Sequence, residues 1–228
     1  MKTICKTDGV TTSFIVAEVE PAHHDVLRGL YYSPAAEGFA KSYPAETPDL
    51  DRIYCHFARS AQAMVRQAAR QEPVAWEEAL EMFLNLVGGH MLVWWLVGST
   101  ALAVRGIEVA PGDVDIVTDD SGAERLNELL REYQVEPLQR SEGWIWNSFG
   151  RAFMGARLEW VGGVNVGADN PVISDFGPTA AARLEVVKWH GVEIMVPPLD
   201  LQLAVSERRG MKERADKIRR FLHNGQGV

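Results

Sequence analysis

Leu96-Val97-Gly98-Ser99-Thr100, followed after residues 101–112 by Asp113-Val114-Asp115-Ile116, decides how this chain is read. A short apolar strand runs into a Gly-Ser turn. A helix follows from Thr100 to Arg105, and a second strand then carries two aspartates one residue apart. Side chains of a strand alternate faces, so Asp113 and Asp115 point the same way. Two carboxylates a few ångström apart repel each other unless a cation lies between them. Gly98 lets the backbone approach a ligand closely, and Ser99 is placed to cap the helix. The free N–H groups of that helix start favour an anion. The pattern predicts a divalent-metal site facing a phosphate-binding turn. Mg²⁺ is commonly held by carboxylates together with substrate phosphate oxygens, so the two features together describe nucleotidyl transfer.

The same residues carry a family resemblance. Val97-Gly98-Ser99 followed by Asp113-Val114-Asp115-Ile116 resembles the signature of the DNA polymerase beta-like nucleotidyltransferase superfamily. The surrounding text, Gly98 to Gly106 and Pro111 to Val117, is similar to its small bacterial branch, which includes antibiotic nucleotidyltransferases and abortive-infection toxins. The resemblance covers about residues 90 to 220. It implies an α+β fold: a mixed β-sheet nucleotidyltransferase core flanked by helices, here preceded by an N-terminal β-hairpin and helical segment. It also implies a third carboxylate on a later strand. Glu159, in Leu158-Glu159-Trp160-Val161-Gly162, is the choice, with Asp175 and Glu193 as rivals. Asp113, Asp115 and Glu159 would then hold Mg²⁺ or Mn²⁺ and carry catalysis. Gly98 and Ser99 would bind the phosphates of a nucleoside triphosphate such as ATP. Pro197-Pro198-Leu199-Asp200-Leu201, then Arg209, Lys212 and Asp216, resembles the branch's tail segment and makes Lys212 a candidate phosphate ligand. The helix between them, Leu201-Gln202-Leu203-Ala204-Val205, lacks the lysine common there.

Composition bounds the reading. The chain has 228 residues, 46% of them hydrophobic, enough for one large or two small domains. Two segments are expected: residues 1–88, a hairpin and helices of unassigned role, and residues 89–228, the nucleotidyltransferase-like domain. The apolar run Met91 to Val97 is too short to span a membrane, and the N-terminus lacks a signal peptide's apolar region. Two cysteines make no disulfide framework, so the cytoplasm is the expected compartment. The net charge of −8 opposes nucleic acid as acceptor and favours a small molecule or a protein side chain. The alternative function is a catalytically weak nucleotide-binding module with a regulatory or toxin–antitoxin role.

The remaining elements follow from periodicity. Thr3 to Val19 reads as a hairpin about Asp8-Gly9. Tyr31 to Pro44 reads as loop, punctuated by Pro34, Gly38 and Pro44. Thr47-Pro48-Asp49 opens a helix whose apolar stripe includes Leu50, Ile53, Phe57 and Val65. Val74 to Val87 is a second helix. Met91 to Val97, apolar throughout, reads as a buried central strand. Ser121 to Glu124 has capping-box spacing. Trp144 to Phe149 and Arg157 to Val161 read as strands, with Trp144 and Trp146 on one face where they could stack a ring. Leu184 to Trp189 and Val192 to Val196 flank a His190-Gly191 turn, and Asp200 to Val205 and Arg209 to His223 are helical.

Overall fold

The computed structural model describes residues 1–141 and 145–225. Strand β1 (Lys2–Asp8) turns at Asp8-Gly9 into β2 (Thr11–Ala17), the hairpin the sequence predicts. A short helix α1 (His24–Gly29) leads to β3 (Ser33–Ala35) and β4 (Gly38–Pro44). These form an antiparallel sheet in the order β1-β2-β4-β3. The loop expected from Tyr31 to Pro44 is therefore two strands. In β4 the inward residues are Phe39, Lys41 and Tyr43. A lysine in the middle of that alternation hides it from a hydrophobicity reading.

Helix α2 (Leu50–Ala68) covers this sheet with Leu50, Ile53, Phe57, Ala61, Met64 and Val65. It starts at Asp49, which has φ +62° and makes no side-chain cap, so Thr47 is not the cap its position suggests. Helix α3 (Trp76–Val87) packs instead into the second core.

That second core lies under a five-stranded sheet. Strand β5 (Trp94–Val97) enters α4 (Gly98–Ala103); β6 (Val114–Thr118) is followed by α5 (Asp120–Leu129), then β7 (Gln134–Arg140), β8 (Ser148–Phe153) and β9 (Arg157–Gly162). The order is β5-β6-β9-β8-β7, with β6 and β9 parallel and the other pairs antiparallel. Thus β5 is an edge strand of this sheet, not a central one. Its apolar character comes from packing: Trp95 and Val97 join a cluster with Val117, Val161, Phe176 and Met195. Its strand geometry begins at Trp94, and Met91 is fully exposed. Strand β8 starts at Ser148 rather than in the segment around Trp144, which lies outside the described residues. Gly150 faces Trp160 across β8 and β9, and a Cβ there would come within 2.0 Å of the buried indole.

Helix α6 (Pro178–Ala181), the hairpin β10 (Glu185–Trp189) and β11 (Val192–Val196), and helices α7 (Leu199–Arg208) and α8 (Lys212–Gly225) complete the chain. The architecture is α+β, with one mixed sheet flanked by helices as expected and the smaller sheets antiparallel. The N-terminal lobe and the larger sheet meet where Val135 of β7 and Phe153 of β8 enter the N-terminal core. Among the described residues no helix is long and apolar enough to cross a membrane.

Candidate metal and phosphate site

The turn and the acidic strand are held to each other from both sides. Gly98 has φ +67°, in the left-handed region that favours glycine. A Cβ on it would lie 2.5 Å from Asp115 Oδ2, so glycine is what lets the turn close on that carboxylate. Val97 is in register with Asp115 across β5 and β6. The Thr100 hydroxyl donates to the Asp113 carbonyl at 2.5 Å, and Gln202 Nε2 from α7 donates to the Gly98 carbonyl at 3.1 Å. Helix α4 begins at Gly98 with Val97 as its cap residue and no side-chain cap bond. Ser99 therefore lies inside the first turn, not at the cap.

Asp113, Asp115 and Glu159 come together. One oxygen from each lies within 4.8 Å of the others, a spacing that fits a single hard cation bound by oxygen ligands. Asp115 and Glu159 are in direct parallel register. Burial, then the neighbouring charges of Asp113 and Glu159, push the Asp115 carboxyl well above its ordinary value. A carboxylate so placed is stabilised by a cation, and the donor set suits Mg²⁺ or Mn²⁺.

The acids do not stand alone. Register continues sideways across the sheet, from Asp115 to Glu159, Glu159 to Arg151, and Arg151 to Glu136. This row is acid, acid, base, acid on four neighbouring strands. Arg151 and Glu136 are fully buried. Arg151 Nε donates to Glu159 Oε1 at 2.8 Å, and Nη1 bonds Glu136 Oε1 and the Leu30 carbonyl. The N-terminal lobe closes the row, with Lys41 Nζ on Glu136 Oε2 and the Tyr32 hydroxyl on Glu136 Oε1 at 3.3 Å. Arg157, one step along β9, donates to Asp113 and places Nε 2.8 Å from Glu159 Oε1, an ion pair rather than an aligned hydrogen bond. Burial would raise Glu159, but Arg151 and Arg157 outweigh it and hold the carboxyl below its usual range. Asp115 makes no ion pair among the described residues.

The other candidates separate. Asp175 is near enough to raise Asp115 electrostatically, and its own carboxyl is raised by burial against the pull of Arg214, Arg209 and Arg208. It sits outside the three-carboxylate cluster. Glu193 is exposed on β11, opposite Lys188. Lys212 is exposed at the start of α8, beside a hollow shared with Glu207, Asp216 and Arg219. Arg214, two residues on, is half-buried and interacts with Asp175, Asp115 and Asp113. Sequence reasoning missed Arg151, Arg157, Glu136, Lys41 and Arg214. The one available signal was Arg151, the single charge within β8, with Arg157 opening β9 two residues before Glu159.

A cleft of about 540 Å³ opens over this face of the sheet. Asp115 and Glu159 line it, together with Val161, Phe149, Trp146 and, from the N-terminal lobe, Lys41.

No family model matches the sequence, and no curated protein matches it. Among solved structures the chain is similar to a Thermotoga maritima protein described as a putative nucleotidyltransferase (TM1012). The two are 22% identical, the match covers 64% of this chain and 91% of that one, and the TM-score is 0.48. The function proposed below rests on the site itself.

Proposed function

We propose that the protein is a divalent-metal-dependent nucleotidyltransferase of the polymerase beta-like superfamily, small bacterial branch. It would move a nucleoside monophosphate from a triphosphate, ATP among the candidates, to an acceptor hydroxyl and release pyrophosphate. The single observation that carries this reading is the convergence of Asp113, Asp115 and Glu159 beside the Gly98-Ser99 turn. The cation those carboxylates would hold supplies charge neutralisation at the phosphates. The chain's own residues do the rest. Backbone N–H groups at Gly98 and Ser99 receive phosphate oxygens. For added positive charge at the phosphates we take Arg214, whose charge acts on Asp175 first and then on Asp115 and Asp113, ahead of the exposed Lys212. The sheet fixes the carboxylates in register, so catalysis is mainly positioning and electrostatics.

The division of labour follows the chain, with residues 89–228 carrying the chemistry and residues 1–88 walling the cleft. A net charge of −8 favours a small molecule or a protein side chain over nucleic acid as acceptor. Cys5 and Cys55, both free and exposed, suit the reducing cytoplasm. A second reading, a nucleotide-binding module of regulatory type, draws on Arg157, which engages two of the three carboxylates. Pyrophosphate release separates the two. The enzyme releases it from a triphosphate with Mg²⁺ or Mn²⁺, and Asp115→Asn abolishes the release. Triphosphate binding without release in the presence of varied acceptors would favour the module.

A further inference from the structure

The proposed chemistry uses only one end of the cleft. From β5, which carries the Gly98 turn, to β7 there are four strand spacings, about 19 Å. The carboxylates occupy β6 and β9, leaving about 10 Å of floor over β8 and β7 beyond them. Next to the charged row runs a second row in register, Val117 to Val161, Val161 to Phe149, and Phe149 to Gln139. It is apolar until its last member. The Arg151 guanidinium lies 5.2 Å from the Phe149 ring centroid and Lys41 Nζ, which also lines the cleft, at 5.8 Å. Trp146 and Phe176, 6.4 Å apart and edge-on, also line the cleft, as does Tyr31 from the N-terminal lobe.

What this end can hold follows by elimination. A polycationic acceptor needs carboxylates, and among the described residues the lining beyond Glu159 offers Gln139, Arg140, Ser141 and Lys41. A polyanion needs surplus positive charge, but Lys41 is bound to Glu136 and Arg140 to Glu124. What remains is a flat apolar floor, an aromatic face and polar atoms at the rim. That chemistry recognises an uncharged planar ring. We propose that the Phe149 end of the cleft is a binding subsite for an uncharged planar aromatic ring, set beside the carboxylates and closed by the N-terminal lobe. The ring is either the base of the nucleotide or the body of a ring-bearing acceptor. The subsite takes its place in the reaction from the nucleotidyltransferase reading, although ring binding itself can be measured without it.

The test uses the full chain and three probes: adenosine, the neutral phenol tyrosol, and the polycation kanamycin. Binding is followed by saturation-transfer NMR and calorimetry in wild type, Phe149→Ala and Phe149→Leu. At least one ring probe is expected to bind, and each variant to weaken it at least fivefold, as stacking on an aromatic face requires. Phe149→Leu keeps most of the volume, so it carries the test if the alanine variant does not fold. Binding of adenosine identifies the nucleobase as the ring, and binding of tyrosol identifies the acceptor. Failure of both ring probes, equal affinity in wild type and both variants, or binding of kanamycin alone would overturn the subsite. Mn²⁺-dependent triphosphate binding, measured on the same preparation, distinguishes that failure from failure of the nucleotidyltransferase reading.

Discussion

Replacing Arg157 with glutamine should tighten divalent-metal binding. Its guanidinium engages Asp113 and lies 2.8 Å from Glu159, two of the three carboxylates a cation would use. An ion at the carboxylates would therefore lie about 5 Å from a fixed positive charge. For a divalent ion at that distance Coulomb repulsion is about 1.7 kcal/mol even with the dielectric of bulk water, and larger in a half-buried site. If the arginine swings away instead, it gives up its ion pairs, which also weakens binding. Either route places the expected gain on removing the charge at about tenfold or more. Mn²⁺ titration followed by electron paramagnetic resonance reads this directly, without any turnover. Equal affinity in wild type and Arg157→Gln, or weaker binding in the variant, would refute the competition between guanidinium and metal.

Three further outcomes are expected. Arg151→Met removes the guanidinium shared by fully buried Glu136 and by Glu159, while Lys41 stays on Glu136 and Arg157 beside Glu159, so urea unfolding should show a loss of about 3 kcal/mol, the low end for a broken buried pair; a loss below about 1 kcal/mol would mean the row is not a coupled network. Arg214→Ala should weaken triphosphate binding several-fold in a calorimetric titration while Lys212→Ala leaves it unchanged, and the reverse ranking would restore the tail-segment expectation for Lys212. Asp169 accepts the backbone N–H groups of Ser174 and Thr179, and these outweigh burial to hold its carboxyl below the ordinary value. Such a group contributes stability that is complete above its unfolded value, near ~3.9, and disappears as pH falls through the lower folded value. Asp169→Asn should therefore be less stable at neutral pH, and the difference should close as pH drops below about 4; a difference constant with pH would contradict the assignment.

The site was legible where its chemistry is local. Gly98, Ser99, Asp113 and Asp115 fall within one strand-turn-helix-strand unit, and their spacing carries the geometry. Glu159 needed the resemblance, because nothing in the sequence says that β9 lies beside β6. The row beyond it was illegible for the same reason. Arg151, Glu136 and Lys41 sit on three strands, and their pairing is set by sheet order. Strand β7 was missed because Glu136 and Pro137 interrupt its pattern, and β4 because Lys41 does. Both exceptions are buried charges that make sense only once their partners are known. The position of β5 was misread because an apolar run signals burial without saying what does the burying. The helix cap at Ser121 moved for a smaller reason. Asp119 accepts the Gly122 N–H and the Ser121 hydroxyl, so the aspartate wins the cap, and Glu124 pairs with Arg140 instead.

The most direct measurement is anomalous diffraction from crystals grown with Mn²⁺ and a non-hydrolysable nucleoside triphosphate. A manganese peak is expected among the carboxylates of Asp113, Asp115 and Glu159, with triphosphate oxygens completing its shell and reaching the Gly98-Ser99 turn. Triphosphate bound with no manganese at those carboxylates, or manganese bound elsewhere on the chain, would contradict the central claim.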